Sequence, residues 1–172
     1  MTTRTPPLVL SDTPFRMPTD VELDDRVRVV EMRHTDVTLD DLPALFDGGF
    51  AVLSGLGPIG PGYAIYDGEV SGSFELTIGF PIAGPAAMSL VPVRSASVPA
   101  DLPDGVMEGT FPTGTALVVS HLGSFEGLGA VWQRLGEHPQ AQGRTRVIEI
   151  YVTDPSQTEV EELRTDLVIP LS

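Results

Sequence analysis

With 172 residues, 24 acidic against 10 basic side chains and a formal net charge of −14, the chain repels phosphate backbones and is expected not to bind nucleic acid directly. Its 41% hydrophobic content supports a sizeable core and excludes global disorder, in one domain or two small fused modules. The absence of cysteine excludes disulfides and thiolate metal sites, and no apolar run approaches the ~20 residues of a membrane span.

Residues 1–25 read as a leader, polar and loose through Pro18 and lacking the apolar core of a signal peptide. A reducing cytoplasm is the simplest compartment. Arg26 to Met32 is Val-rich and predicts a first strand. Leu42, Leu45, Phe46, Phe50 and Leu53 keep helical spacing. Two starts compete for this helix: Thr38 with Asp41 as a capping box, or Asp41 as cap with Pro43 in the first turn, where its missing N–H matters little. Gly48-Gly49 weakens the helix. Leu56 to Gly62 is a loop. Tyr63 to Tyr66 is a short strand, Asp67-Gly68 a turn signal, and Phe74 to Pro81 the next strand. Ile82 to Pro103 reads as the connection between two halves, with a strand expected around Met88 to Val93. Val106 to Phe111 and Thr115 to His121 are strands around a Pro-Thr-Gly bend. Leu128, Val131, Trp132 and Leu135 form a helical stripe. Arg146 to Val152 is a strand, Glu159 to Glu162 a helical turn, and Leu163 to Leu171 the closing strand.

The order repeats. His34 to His121 is an offset of 87, Tyr66 to Tyr151 of 85 and Pro81 to Pro170 of 89. A strand–helix–strand–strand unit cannot bury its apolar surface alone, so two copies should pack together. The expected fold is α+β: two fused modules, residues 26–82 and 106–172, joined by 83–105 and related by pseudo-twofold symmetry. The seam between like halves is a natural place for a small molecule.

At Glu149-Ile150-Tyr151-Val152-Thr153-Asp154-Pro155, then Glu161-Glu162-Leu163-Arg164-Thr165-Asp166 and Ile169-Pro170-Leu171, the chain resembles the GyrI-like small-molecule-binding domain. This is also the effector-binding domain of AraC- and MerR-type multidrug regulators. The segment from His121-x-Gly123 through the Trp132 helix matches the second half of that family, and Phe74 to Ile82 matches the first half more loosely. The resemblance implies an antiparallel sheet with helices flanking a ligand cleft, and binding of bulky, aromatic, often cationic compounds. It places Glu149 where a family carboxylate faces the ligand. Some standalone members are similar to hydrolases that open cyclopropane-bearing DNA-alkylating toxins, and others to gyrase-modulating proteins. Ser124-Phe125 replaces the family's Pro-Tyr, and the chain leaves no room for a helix-turn-helix domain.

Alternation along the strand puts Val147, Glu149 and Tyr151 on one face and Ile148, Ile150 and Val152 on the other. The aliphatic face is core; the Glu149 face is solvent or cleft. A desolvated carboxylate among aromatic rings suits a cation, or with a bound water it serves as a general base. The candidate ligand-binding residues are therefore Glu149, Tyr151, Tyr66, Trp132 and Phe125. In a hydrolase Glu149 would be the base and Tyr151 the proton donor. Ala64 stands in the first module where Glu149 stands in the second. His34 and His121 both fall at strand-to-helix junctions and suit local capping or tautomer-locked roles. No metal-ligand spacing, nucleophilic triad or cofactor motif is evident. Gly55-x-Gly57-x-x-Gly60 matches a dinucleotide fingerprint in letters only, since no helix follows. The expected partner is a small aromatic or cationic ligand. A protein partner would be basic, drawn to the acidic surface.

Overall fold

The computed structural model describes residues 8–11, 13–23, 27–68, 72–82, 105–143, 145–153 and 159–171, with the side chains of Phe125 and Val160 outside that description. The elements, in chain order, are β1 Thr19–Leu23, β2 Arg28–Val37, α1 Leu42–Ser54, β3 Tyr63–Gly68, β4 Phe74–Pro81, β5 Val106–Thr110, β6 Gly114–Leu122, α2 Leu128–Gly136, β7 Arg146–Tyr151 and β8 Arg164–Pro170. Short 3₁₀ turns sit at Leu39–Asp41, Phe125–Gly127, Pro139–Ala141 and Val160–Glu162. The strand expected around Met88 to Val93 lies outside the described residues.

All eight strands form one antiparallel sheet in the order β1-β6-β8-β7-β3-β4-β2-β5. That order reads the same from either edge: β6, β8 and β7 of the second module correspond to β2, β4 and β3 of the first. The expected α+β pseudo-twofold architecture is what forms. The symmetry axis passes between β3 and β7, where Ala64 is the direct partner of Glu149. The repeat also extends further than the sequence suggested. β1, which lies within the leader, pairs with β6 of the second module, and β5 pairs with β2 of the first. Each module is preceded by a strand that it lends to the other.

Alternation divides the core into layers. On one face α1 covers Val30, Ala64, Tyr66, Leu76 and Ile78, and α2 covers Leu117, Val119, Leu167 and Ile169. Val147 of β7 packs against both groups, so the two helices share that face. Burying a leucine such as Leu53 or Leu135 stabilises the fold by about 1.5–3 kcal/mol. The opposite face carries Val29, Tyr63, Val118, Ile148, Ile150 and Val168 beneath Leu8, Leu10 and Phe15 of the chain's first segment. That segment is pinned in place. Ser120 exchanges two hydrogen bonds with the Phe15 backbone, both at 2.8 Å. The Arg164 guanidinium grips the fully buried Asp166 through two bonds of 2.9 and 3.0 Å and donates to the Ser11 carbonyl at 2.9 Å.

Two local expectations change. Both proposed starts of α1 are used in succession. The Asp41 carboxylate accepts from the Thr38 N–H and hydroxyl to begin the 3₁₀ turn, and Asp41 then caps α1 with Pro43 in its first turn. Asp67-Gly68 is not the turn of its hairpin. Both residues stay in β3, paired with Glu75 and Phe74, and Gly68 takes φ +124° there. A glycine with positive φ satisfies a strand end as well as a turn, which is why the dipeptide misplaced the turn.

Candidate functional site

The site lies on the helix-covered face, at the seam. Glu149 is only 6% exposed, yet its carboxylate is well served. Tyr66 donates to Oε1 at 2.9 Å, Tyr151 donates to the same oxygen at 2.8 Å, and the Trp132 indole N–H donates to Oε2 at 2.6 Å. The donors come from β3, β7 and α2, so both modules build the site. Strand register explains the convergence. Ala64 lies directly opposite Glu149 and offers only a methyl group, so Tyr66, two residues along β3, can lean across the seam. Tyr151 reaches the same carboxylate from two residues along β7, and Trp132 descends from the α2 stripe that also packs Leu128, Val131 and Leu135 onto the sheet.

All three donors are neutral, and among the described residues no basic side chain pairs with Glu149. The negative charge is stabilised but not cancelled. Burial, and secondarily the Glu149 charge, push the Tyr66 and Tyr151 phenols well above their ordinary range. Both therefore remain proton-bearing donors across the physiological pH range. A carboxylate has about four acceptor positions, so one remains after three donors are placed.

A wall of rings adjoins the carboxylate. Phe46 and Phe50 on α1 stack at 5.8 Å between centroids, and both meet Tyr151 edge-on, at 6.2 and 6.0 Å. Phe80 of β4 packs against Phe50 at 5.3 Å. Phe46, Phe50, Phe80, Tyr151 and Trp132 each keep part of their surface open. Gly62 lets the wall close up, since a Cβ there would sit 3.0 Å from both Phe50 and Phe80.

Four of the five residues singled out from the sequence, Glu149, Tyr151, Tyr66 and Trp132, are thus joined by hydrogen bonds. Phe125 lies in the 3₁₀ turn ahead of α2, and its side chain is outside the described atoms. Phe46, Phe50 and Phe80 were read from the sequence only as helix-stripe or strand residues. Their i, i+4 spacing on α1 gave a signal for a shared face, but not for what that face would meet. The histidines divide. His121 Nε2 lies 2.7 Å from the Ser124 carbonyl, a bond local to its strand-to-helix junction. His34 Nε2 is buried with no hydrogen-bond partner among the described residues, so the parallel role expected for it is not realised at that nitrogen. Two surface concavities of about 550 and 560 Å³ lie on the outer sides of α1 and α2, and neither is lined by Glu149.

The fold and its sequence have recognisable relatives. Over 90% of the chain superposes on an uncharacterised conserved protein from Listeria innocua at a TM-score of 0.62 and 14% identity, covering 93% of this chain and 94% of that one. SAV2435, solved bound to tetraphenylphosphonium, matches at 0.60 and 14% identity over 91% and 94% of the two chains. A hydrolase from Listeria innocua matches at 0.52 and 15% identity over 94% of each. At these identities the likeness is one of fold. No functionally curated protein matches the chain. The model of the GyrI-like small molecule binding domain matches residues 63–172, the stretch that contains both strands of the seam, α2 and Glu149, and the chain belongs to that family.

Proposed function

We propose that the seam binds bulky aromatic organic cations, with Glu149 as counter-charge and Phe46, Phe50, Phe80, Tyr66, Tyr151 and Trp132 as the surrounding rings, in a protein that senses or sequesters such compounds. One observation carries this reading: a buried carboxylate held by three neutral donors and, among the described residues, by no base. Folding has already removed Glu149 from water, so an arriving cation gains its attraction without paying again to desolvate the carboxylate. Each open ring face adds about 0.5–2 kcal/mol of cation–π attraction. The tetraphenylphosphonium complex of SAV2435 supports the ligand class by analogy of fold. The Trp132 indole N–H bonds the same carboxylate at 2.6 Å, so a cation seated there is expected to change the indole emission.

A hydrolytic reading rests on the one acceptor position left on Glu149, which suffices to hold a water as general base, and on the fold shared with a hydrolase. The binding reading is favoured because the two phenols are pushed away from the range in which they would release protons readily.

Titration of tetraphenylphosphonium, followed through Trp132, the chain's only tryptophan, tests the proposal. Glu149→Gln is expected to weaken this cation by about 1–3 kcal/mol, as for a charge-assisted contact, and to weaken neutral triphenylphosphine oxide less. Equal losses for the two ligands would refute charge reading by Glu149. Product analysis on a cyclopropane-bearing electrophile separates the rival: turnover lost in Glu149→Gln would establish the hydrolase instead.

A further inference from the structure

The two concavities outside the helices are repeat-mates. The first is lined by Arg33, His34 and Ala44, the second by Ser120, His121 and Val131, each pair 87 residues apart. Their charges have diverged. The α1 groove carries Asp36, Asp40 and Asp41, and its Arg33 is committed to Glu31 at 3.1 Å. The α2 groove is lined by Arg16 and Arg134 and, among the described residues, by no carboxylate.

That is unusual for this chain, which has a net charge of −14 and no lysine. Among the described residues, Arg28, Arg33, Arg146 and Arg164 each pair with an acid. The side chains of Arg16 and Arg134 form no ion pair or hydrogen bond among the described residues, and both line the same groove. Neither is placed by chance. Arg16 follows Phe15, whose N–H and carbonyl are both held by Ser120. Arg134 stands about one helical turn beyond Val131 on α2, and both line the groove. Asp166, which accepts from the groove's Ser120 at 2.6 Å, is fully buried and gripped by Arg164, so it does not answer the groove's charge. Between the arginines lie Val131, Leu135 and the 40%-exposed Leu122.

We infer that the groove of about 560 Å³ between β6, α2 and the Arg16 segment is a second binding site, distinct from the Glu149 seam, for a small organic anion. Its carboxylate or phosphate is held between Arg16 and Arg134, and its apolar body lies on Val131 and Leu122. Arginine suits this task, because its planar fork matches carboxylate and phosphate geometry. The apolar floor favours an anion with a hydrocarbon part over a bare ion.

Calorimetric titrations of the whole chain with naphthoate, its neutral amide naphthamide, and inorganic phosphate test the assignment, with amide-shift mapping by NMR to locate the site. Naphthoate is expected to perturb His121, Gly127, Val131 and Arg134. Arg16→Gln and Arg134→Gln, both exposed positions, are each expected to weaken it about tenfold or more. Arg146→Gln, which removes the same charge from a different surface, should leave binding unchanged. Naphthamide binding as tightly as naphthoate, an Arg146→Gln loss equal to the others, or shifts confined to the Glu149 seam would each overturn the site. Phosphate binding as tightly as naphthoate would overturn the organic part of the assignment.

Discussion

Gly79 occupies a place where no side chain fits. It pairs with Tyr63 on one side and Glu31 on the other, and the Tyr63 ring lies across it to donate to Glu31 at 3.1 Å. A Cβ at Gly79 would sit 2.5 Å from the Tyr63 hydroxyl and 2.7 Å from the Val30 carbonyl, which is rigid backbone. Gly79→Ala is therefore expected to lower stability by at least about 2 kcal/mol, read as a shifted denaturant midpoint; a midpoint within error of the native chain would mean that the ring moves freely. Nothing in the sequence distinguished this glycine, because the clash comes from two other strands. Glu149 was easier to find. Its place in an alternating strand and the position that the resemblance implied marked it as a candidate, and Tyr151 came with it by parity. Its relation to Tyr66 depended on β3 pairing with β7 in one particular register, a long-range fact that local pattern does not encode.

Each helix is started and seated by a few positions. α1 begins at the Thr38–Asp41 cap, where one carboxylate accepts two bonds. Asp41→Ala should destabilise the protein by about 1 kcal/mol, seen as a lower thermal midpoint with the Glu149 site intact; unchanged stability would show that Pro43 alone sets the start. Gly49, which read as a weakness in the helix, is where α1 comes nearest to the sheet, its missing Cβ occupied by Ile78. Gly48, with nothing within 4 Å, has no such role. The main strands and both helices were legible from periodicity and punctuation. β1 was not, because Thr19–Leu23 is short and mostly exposed at a sheet edge, so little apolar patterning marks it.

Across the whole molecule, all three tyrosines present their hydroxyls to carboxylates, Tyr63 to Glu31 and Tyr66 and Tyr151 to Glu149. Burial first, then the neighbouring charge, raises each phenol in the folded state. The sign follows by linkage: below the ordinary tyrosine pKa of about 10 both states keep their protons and stability is undiminished. Above it the unfolded chain loses protons that the native chain retains, so stability falls as pH rises. Tyrosinate absorbance should therefore appear together with cooperative alkaline unfolding; a separate native titration near pH 10 would contradict the buried network. The exchange of β1 and β5 reaches further still. The halves hold one another in a reciprocal clasp, each gripping a strip of the other's chain, so covalent continuity between them is dispensable once folding is complete. A protease site placed between residues 83 and 104 and then cut should yield two fragments that still elute as one particle and denature in one step. Either half produced alone would have its first strand's outer edge uncovered and a leading strand without a berth. It should then pair with an identical copy, a self-matched couple in which the second gene half has been replaced by a second molecule. Fragments that drift apart on dilution would break the clasp as an account of how this chain is held together.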